Sequence, residues 1–405
     1  MSETTANSSR MLDPATVAAY IASRAALVGL VDTDALDVKE VGDGNLNQVF
    51  ICRDGNGRSI VLKQALPYVR LVGPDWPMSE DRATREAHAI SVHRTLSAEY
   101  VIDLIDYDPA RFVLALRDLS DHDVLRTRFN AGGSHEGVAE ALATYVADIG
   151  FGTSWYALGE EVFRRRAGES INTELCALTE DVIFTEPFLG AERNSYPPSI
   201  APLVEQLQAD PEWVGAAMVM KRRFITKQEA LIHGDLHSGS VFVRGSGAEL
   251  SVKAFDSEFA FYAPIGFDLG LMWANFMAAA ARAAAMGDPL RATGLLDSIE
   301  SSWRVFGDRL RALWPTRATP HKHPDLLLDA WIDEIRDDAL GFAGCEATRR
   351  IIGLAKLSDI ESLPPAQYDV AAEAVLQCGA LMLVGHAQGS IAEVTLALKH
   401  TLALP

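Results

Sequence analysis

The chain has 405 residues, a length that favours two domains or two lobes sharing a cleft over one small core. At 48% hydrophobic and 22% charged residues it reads as a soluble globular protein, and its richest apolar run, Leu269 to Ala285, is interrupted by Asn275 and Arg282, so no membrane partner is expected. A formal net charge of −19 argues against nucleic acid, whose binding depends on basic residues neutralising phosphates, and requires any nucleotide site to carry its own local donors and a metal.

Residues 1–13, opening MSETTANSSR, lack an apolar segment followed by a cleavage site and read as a short disordered tail. Four widely spaced cysteines (Cys52, Cys176, Cys345, Cys378) show no CxxC or Cys/His pairing and read as buried free thiols of a reducing, cytoplasmic protein. Pro14 to Leu27 carries an amphipathic helical pattern with Val17, Ile21 and Ala25 on one face. From Leu36 the pattern is strand, Gly-rich turn (Gly42-Asp-Gly-Asn-Leu-Asn47), strand, hairpin turn (Asp54-Gly-Asn-Gly57) and a third strand ending at Gln64. Gly42 and Gly44 let backbone approach a ligand, and Asn45 and Asn47 add donors, although an isolated GxG is more often an ordinary turn. Lys63 lies within the apolar strand Val61-Leu-Lys63, where its ammonium must reach water or a fixed anion.

The loop Leu71 to Pro77 is kept irregular by Pro74 and Pro77, with Trp76 between them as core anchor or lid. A helix is expected from Met78 to Thr95, where Glu86 either pairs with Lys63 or is solvated beside Arg82. Val101–Tyr107 and Phe112–Leu116 read as two strands, and the second leads into Arg117-Asp118-Leu119. The lobe boundary is placed near residue 118, giving an N-terminal lobe of 14–118 and a C-terminal lobe of 119–405. The second part is mostly helical, with helical patterns at 136–151, 199–208, 211–230, 265–285, 289–306, 323–356 and 365–394. Its two convincing strands are Leu231-Ile-His233 and Leu250 to Phe255. Asp268 reads as an N-cap or a buried structural acid.

Those two strands end in acids. The first runs into Gly234-Asp235-Leu-His237-Ser-Gly-Ser240, and the second ends on Asp256-Ser257-Glu258. A lone Asp in a turn can orient a hydroxyl and take its proton. Carboxylates at i and i+2 of an extended strand share a side and suit a hard cation such as Mg2+. Together they form the arrangement phosphoryl transfer needs. Ser240 stands where protein kinases have a metal-binding Asn, so Glu258 is expected to replace it. Arg349 and Arg350, adjacent on a helix, point about 100° apart. By spacing alone they read as a solvated pair, with Glu346 satisfying Arg350.

These blocks resemble a known family. His233-Gly-Asp-Leu-His237 with the downstream Asp-x-Glu is similar to the aminoglycoside phosphotransferase and choline kinase group. That resemblance implies an α+β, protein-kinase-like bilobal fold with an antiparallel-sheet N-lobe and a mainly helical C-lobe. A narrower resemblance is to the 5-methylthioribose kinases of methionine salvage. It rests on the glycine loop, Lys63-Gln-Ala-Leu-Pro-Tyr68, the tryptophan loop at 72–77, Thr173-Glu-Leu-Cys176, Phe184 to Phe188, Pro264 to Asp268, and Gly341-Phe-Ala-Gly-Cys-Glu346 with Arg349-Arg350. It implies phosphorylation of the C1 hydroxyl of 5-methylthioribose by ATP and Mg2+, in a homodimer. Asp235, Arg349 and Arg350 would be catalytic and, with Trp76, substrate-binding. Asn45, Asn47, Lys63, Arg117, Asp118, Leu119, Asp256, Ser257 and Glu258 would bind ATP, and Asp256 and Glu258 the metal. The chain departs from the family at Ser257, usually Pro, and at Arg117, usually acidic. The alternatives are a kinase of the same fold acting on an aminoglycoside or amino alcohol, and a non-catalytic nucleotide-binding protein.

Overall fold

The computed structural model describes residues 11–42, 46–70, 73–385 and 389–404. The chain divides into two compact units: Met1–Asp121 with Asp256–Phe259, and His122–Phe255 with Ala260–Pro405.

The first unit is built on a five-stranded antiparallel sheet of β1 (Leu36–Val41), β2 (Asn47–Asp54), β3 (Ser59–Ala65), β4 (Leu104–Asp108) and β5 (Val113–Arg117), in the order β1-β2-β3-β5-β4. Alternation along β2 sends Phe50 and Cys52 into one core with Ile60, Leu62, Val113 and Ala115, which Val17, Tyr20 and Ile21 cover from the Val17–Ser23 helix. Leu12, assigned from sequence to the tail, belongs to this core, and its N–H donates to Gln64 Oε1 at 2.7 Å. The Val17–Ser23 helix is shorter than its pattern suggested, and Ala25 lies beyond it, exposed. The register sets Lys63 opposite Val49 on β2 and Leu114 on β5, so its strand is paired on both sides. The helix expected from Met78 forms over Arg82–Ser97.

The second unit is helical, with two small sheets. β6 (Asp123–Val124), β8 (Val241–Arg244) and β9 (Ser251–Ala254) form one, in the order β6-β8-β9, and β7 (Ala230–Leu231) pairs with β10 (Tyr262–Ala263) in the other. Among the described residues five strands replace the two read from sequence: the four-residue β8 was missed, and β6 and β10 are two-residue strands that periodicity cannot detect. The long helix Leu326–Ile352 packs between the helices Gly266–Ala285 and Pro365–Val384. Glycines set the closeness of that packing. A Cβ on Gly270 would lie 2.7 Å from Ala339 O, and one on Gly344 would lie 2.5 Å from Gly379 O. The helix pattern read as continuous over 365–394 is two helices, the second being Ile391–Thr401 with a Ser390/Glu393 capping box. Two further helices, Glu160–Glu169 and Thr173–Thr179, precede the Pro211–Thr226 helix.

Candidate active site

In the first unit Lys63 is the centre. Its Nζ is 2.7 Å from Glu86, on the Arg82–Ser97 helix, and also bonds Asp256 Oδ1. Only 7% of Lys63 is exposed. Burial would strip its proton, but Asp256 and Glu86 outweigh that and hold its pKa above the ordinary lysine value. Arg82 turns to Glu258, with Nε 3.2 Å from Oε2, and Asn47 Nδ2 donates to both Glu258 oxygens at 3.0 Å. Oxygens of Glu86, Asp256 and Glu258 lie within 4.8 Å of one another. Three carboxylates thus face two cations, Lys63 and Arg82. Burial of Glu86, with Asp256 and Glu258 beside it, pushes its pKa above the ordinary carboxylate value despite Lys63. This all-oxygen donor set, short of positive charge, fits a hard divalent cation.

Asp256 and Glu258 are brought together, but not by strand alternation. β9 ends at Ala254, and Asp256 adopts φ +69°, a left-handed backbone that turns the chain out of the strand. Ser257 between them is 2% exposed, and its hydroxyl has no hydrogen-bond partner among the described residues. Asn45 lies outside the described residues. Arg117, at the end of β5, pairs with Asp103 at 3.3 Å. Asp118 pairs with Arg53 at 3.2 Å and accepts from Ser120 N, and Leu119 is buried. Trp76 is half-buried in a loop closed by its own backbone, with Trp76 N donating to Gly73 O at 3.1 Å.

In the second unit, β7 leads into the turn, and Gly234 (φ +83°) makes the reversal that few other residues would accept. Asp268 is the buried acid rather than the N-cap: its carboxylate takes His233 N at 2.7 Å and Gly234 N at 2.9 Å. Asp235 lies 3.3 Å from His237 Nε2 and 3.9 Å from Arg349 Nη2. Burial would raise its pKa, but His237, Arg349 and Arg350 prevail and hold it well below the usual carboxylate range. It is therefore an ionised acceptor at neutral pH. His233 is a structural hydrogen bonder, its Nε2 3.0 Å from Phe255 O.

Arg349 and Arg350 are not the solvated pair that spacing suggested: they are 6% and 4% exposed. Glu346 binds both, Oε2 2.5 Å from Arg349 Nε and Oε1 2.6 Å from Arg350 Nε. On a helix, i+3 and i+4 fall about 60° to one side and about 40° to the other of position i, so one carboxylate reaches both. Burial would raise the Glu346 pKa, but the two guanidiniums lower it to about 2. Sequence reading missed Arg126 and Asp359. Arg126 sits 3.1 Å from His237 Nδ1 and 3.7 Å from Asp359. No spacing signal links residues so far apart in the chain.

Comparison with known proteins adds to this geometry. The sequence model described as "Phosphotransferase enzyme family" matches residues 37–304. A methylthioribose kinase of Yersinia enterocolitica is 38% identical over 339 residues, covering 80% of this chain and 82% of its own. One from Geobacillus kaustophilus is 36% identical over 339 residues, covering 82% of each chain. Among solved structures, a choline kinase from Cryptosporidium parvum Iowa II matches with a TM-score of 0.47 and 10% identity, covering 90% of this chain and 95% of that one.

Proposed function

The chain belongs to the methylthioribose kinases of the phosphotransferase enzyme family, and from that membership we propose that it transfers the γ-phosphoryl group of ATP to the C1 hydroxyl of 5-methylthioribose, yielding the 1-phosphate in methionine salvage. The observation that carries the substrate is the likeness to these kinases over about four fifths of both chains. The charge set of the second unit supports it. Arg126, Arg349 and Arg350 face Asp235, Glu346 and Asp359, three cations against three carboxylates. A cationic aminoglycoside or amino alcohol needs an excess of acid, whereas a neutral sugar does not.

Asp235, ionised, accepts the C1 hydroxyl, orients its oxygen toward phosphorus and takes the proton late, since phosphoryl transfer depends chiefly on positioning and electrostatics. Arg349 and Arg350 hold the sugar and offset charge on the transferring phosphoryl group. Lys63, kept charged beside Glu86 and Asp256, pairs with the α- and β-phosphates, with Asn47 rather than Asn45 as the favoured direct contact to them. Asp256 and Glu258 would hold Mg2+, which when bound would neutralise phosphate charge. The side chains of Arg117 and Asp118 are engaged in ion pairs, so the adenine edge is left to backbone around Leu119. Trp76 bears on the sugar as a lid. A cytoplasmic homodimer completes the proposal.

The test is ATP turnover with 5-methylthioribose beside ribose, choline and an aminoglycoside. The expected preference for the methylthio sugar in kcat/KM is about a hundredfold or more; equal turnover, or none with that sugar, would sink the proposal. Asp235→Asn is expected to lower kcat on the order of a thousandfold while nucleotide binding persists, checked by turnover and by calorimetric titration with ADP.

A further inference from the structure

Asp235 can accept the acceptor hydroxyl only if His237 leaves one of its oxygens open, and the proton on the His237 ring decides that. His237 Nδ1 receives two N–H groups, Gly239 N at 2.8 Å and Arg126 Nη2 at 3.1 Å. A ring nitrogen accepting two donors carries its lone pair, so the proton of the neutral ring is on Nε2, 3.3 Å from Asp235 Oδ2. Asp235 Oδ1 is the oxygen on the side of Arg349, at 3.9 Å.

We propose that Arg126 is a positioning residue for the reaction: it fixes His237 as a neutral donor on Nε2, which holds one oxygen of Asp235 and leaves the other for the acceptor hydroxyl. The proposal rests on the phosphotransfer reading above. Two independent features of the fold support it. The first is how Arg126 is held. Its Nε is 3.2 Å from Ser238 Oγ and 3.7 Å from Asp359 Oδ2. Asp359 is 1% exposed, and neither of its carboxylate oxygens has a hydrogen-bond partner among the described residues, so it faces Arg126 as a bare counter-charge. The second is Gly239. A Cβ there would lie 2.6 Å from His237 Cε1 and 3.1 Å from Arg126 Cζ, so the turn has room for this guanidinium–imidazole contact only without a side chain.

The charged groups around His237 come from four elements. Asp235 is on its own turn, Arg126 on the Leu125–Asn130 helix, Arg350 with Glu346 on the Leu326–Ile352 helix, and Asp359 on the short Ser358–Glu361 helix. Burial lowers the His237 pKa most; Asp235 raises it, and Arg350 and Arg126 lower it, leaving it below the ordinary histidine value. His237 is therefore neutral at neutral pH, a donor and not a proton store. Removing Arg126 takes away one of the cations and leaves Asp359 with only the charges of Arg282 and Arg350 to offset it. Both changes favour protonation of His237, and a protonated imidazole would draw the Asp235 charge away from the hydroxyl.

The experiment compares wild type, Arg126→Gln and Arg126→Lys in two readouts. One is turnover of 5-methylthioribose from about pH 5.5 to 8.5, which brackets the ordinary histidine pKa. The other is the 15N resonances of the His237 ring, assigned by loss of the signal in His237→Gln. The expected wild-type result is a ring protonated on Nε2 alone at and above neutral pH, with any acid limb below the ordinary histidine value. Arg126→Gln is expected to lower kcat on the order of a hundredfold with the sugar KM within about threefold, and to move the acid limb and the His237 titration to higher pH than in wild type. Arg126→Lys restores the wild-type profile with part of the rate. If Arg126→Gln does not fold, Gly239→Ala, which pushes a methyl into the same contact, is expected to move both readouts in the same direction. An unchanged profile and unchanged ring resonances in the folded variant, or a wild-type ring protonated on Nδ1, overturns the proposal. Absence of turnover in wild type with the expected ring resonances would instead sink the substrate reading and leave the His237 assignment standing.

Discussion

Glu346 has two oxygens and spends one on each arginine, and this decides what Arg349 and Arg350 can do. A buried arginine without a counter-charge is costly, so the carboxylate holds both guanidiniums at the helix end facing Asp235. The Glu346 pKa falls from its ordinary 4.5 to about 2 in the fold. A depressed carboxylate contributes stability above its unfolded value that is lost as pH falls through the folded one, so the window here runs from about 4.5 down to about 2. Glu346→Gln is expected to lose about 3 kcal/mol in urea unfolding at pH 7, the free-energy equivalent of that shift. The gap to wild type should shrink to about half by pH 3. A gap independent of pH would show that the carboxylate's charge is not what holds the arginines. At this scale the sequence was informative where chemistry was local. A lysine inside an apolar strand must meet an anion, and Lys63 meets Glu86 and Asp256. It was silent on Arg126, whose partners His237 and Asp359 lie 111 and 233 positions further along the chain.

The Leu326–Ile352 helix presents those arginines, and its position depends on small residues. Gly344 faces the backbone of the Pro365–Val384 helix, where a Cβ would lie 2.5 Å from Gly379 O and 2.7 Å from Leu383 N. Backbone cannot rotate aside as a side chain can. Gly344→Ala is therefore expected to destabilise by about 1–3 kcal/mol from overpacking, although alanine is the better helix former by about 1 kcal/mol. The thermal midpoint should fall and the sugar KM should rise, because the helix carries Arg349 and Arg350, the proposed substrate contacts, with it. A raised midpoint would show that the helices relax apart freely. The segment Gly341 to Glu346 was marked in the sequence by its resemblance, and the packing supplies the reason for its glycines. Elements long enough to show a period were legible, as in Gly266–Ala285 and the five strands of the first sheet. Ends were less so. The break between Val384 and Ile391 was read through although Ser390 and Glu393 mark the start of the second helix, while the two-residue strands β6 and β10 exist only because other segments pair with them.

Across the whole molecule, 55 acidic residues against 36 basic ones leave a field that repels nucleotide phosphates. On the proposed function, local cations such as Lys63 capture ATP at short range after it has crossed that field. The association rate of a fluorescent ATP analogue is thus expected to rise as ionic strength increases from about 10 to about 100 mM, where the screening length shortens to about 10 Å. Stopped-flow mixing measures it, and a falling rate would mean that a local basic surface steers the nucleotide instead. The bilobal α+β class, the sheet-then-helix order and the residue types of the chemistry follow from the sequence, because periodicity, turn residues and short motifs act over a few positions. The sequence by itself also determined that a lysine, an aspartate in a turn and a pair of carboxylates are present in the right order. Only the tertiary structure decided their states: that Asp256 leaves its strand through a left-handed turn, that Glu86 shares Lys63 with it, that Glu346 divides itself between two arginines, and that Arg126 settles which nitrogen of His237 holds a proton. Each of these depends on the dielectric and the partners that packing supplies, and neither quantity is encoded in the spacing of residues along a chain.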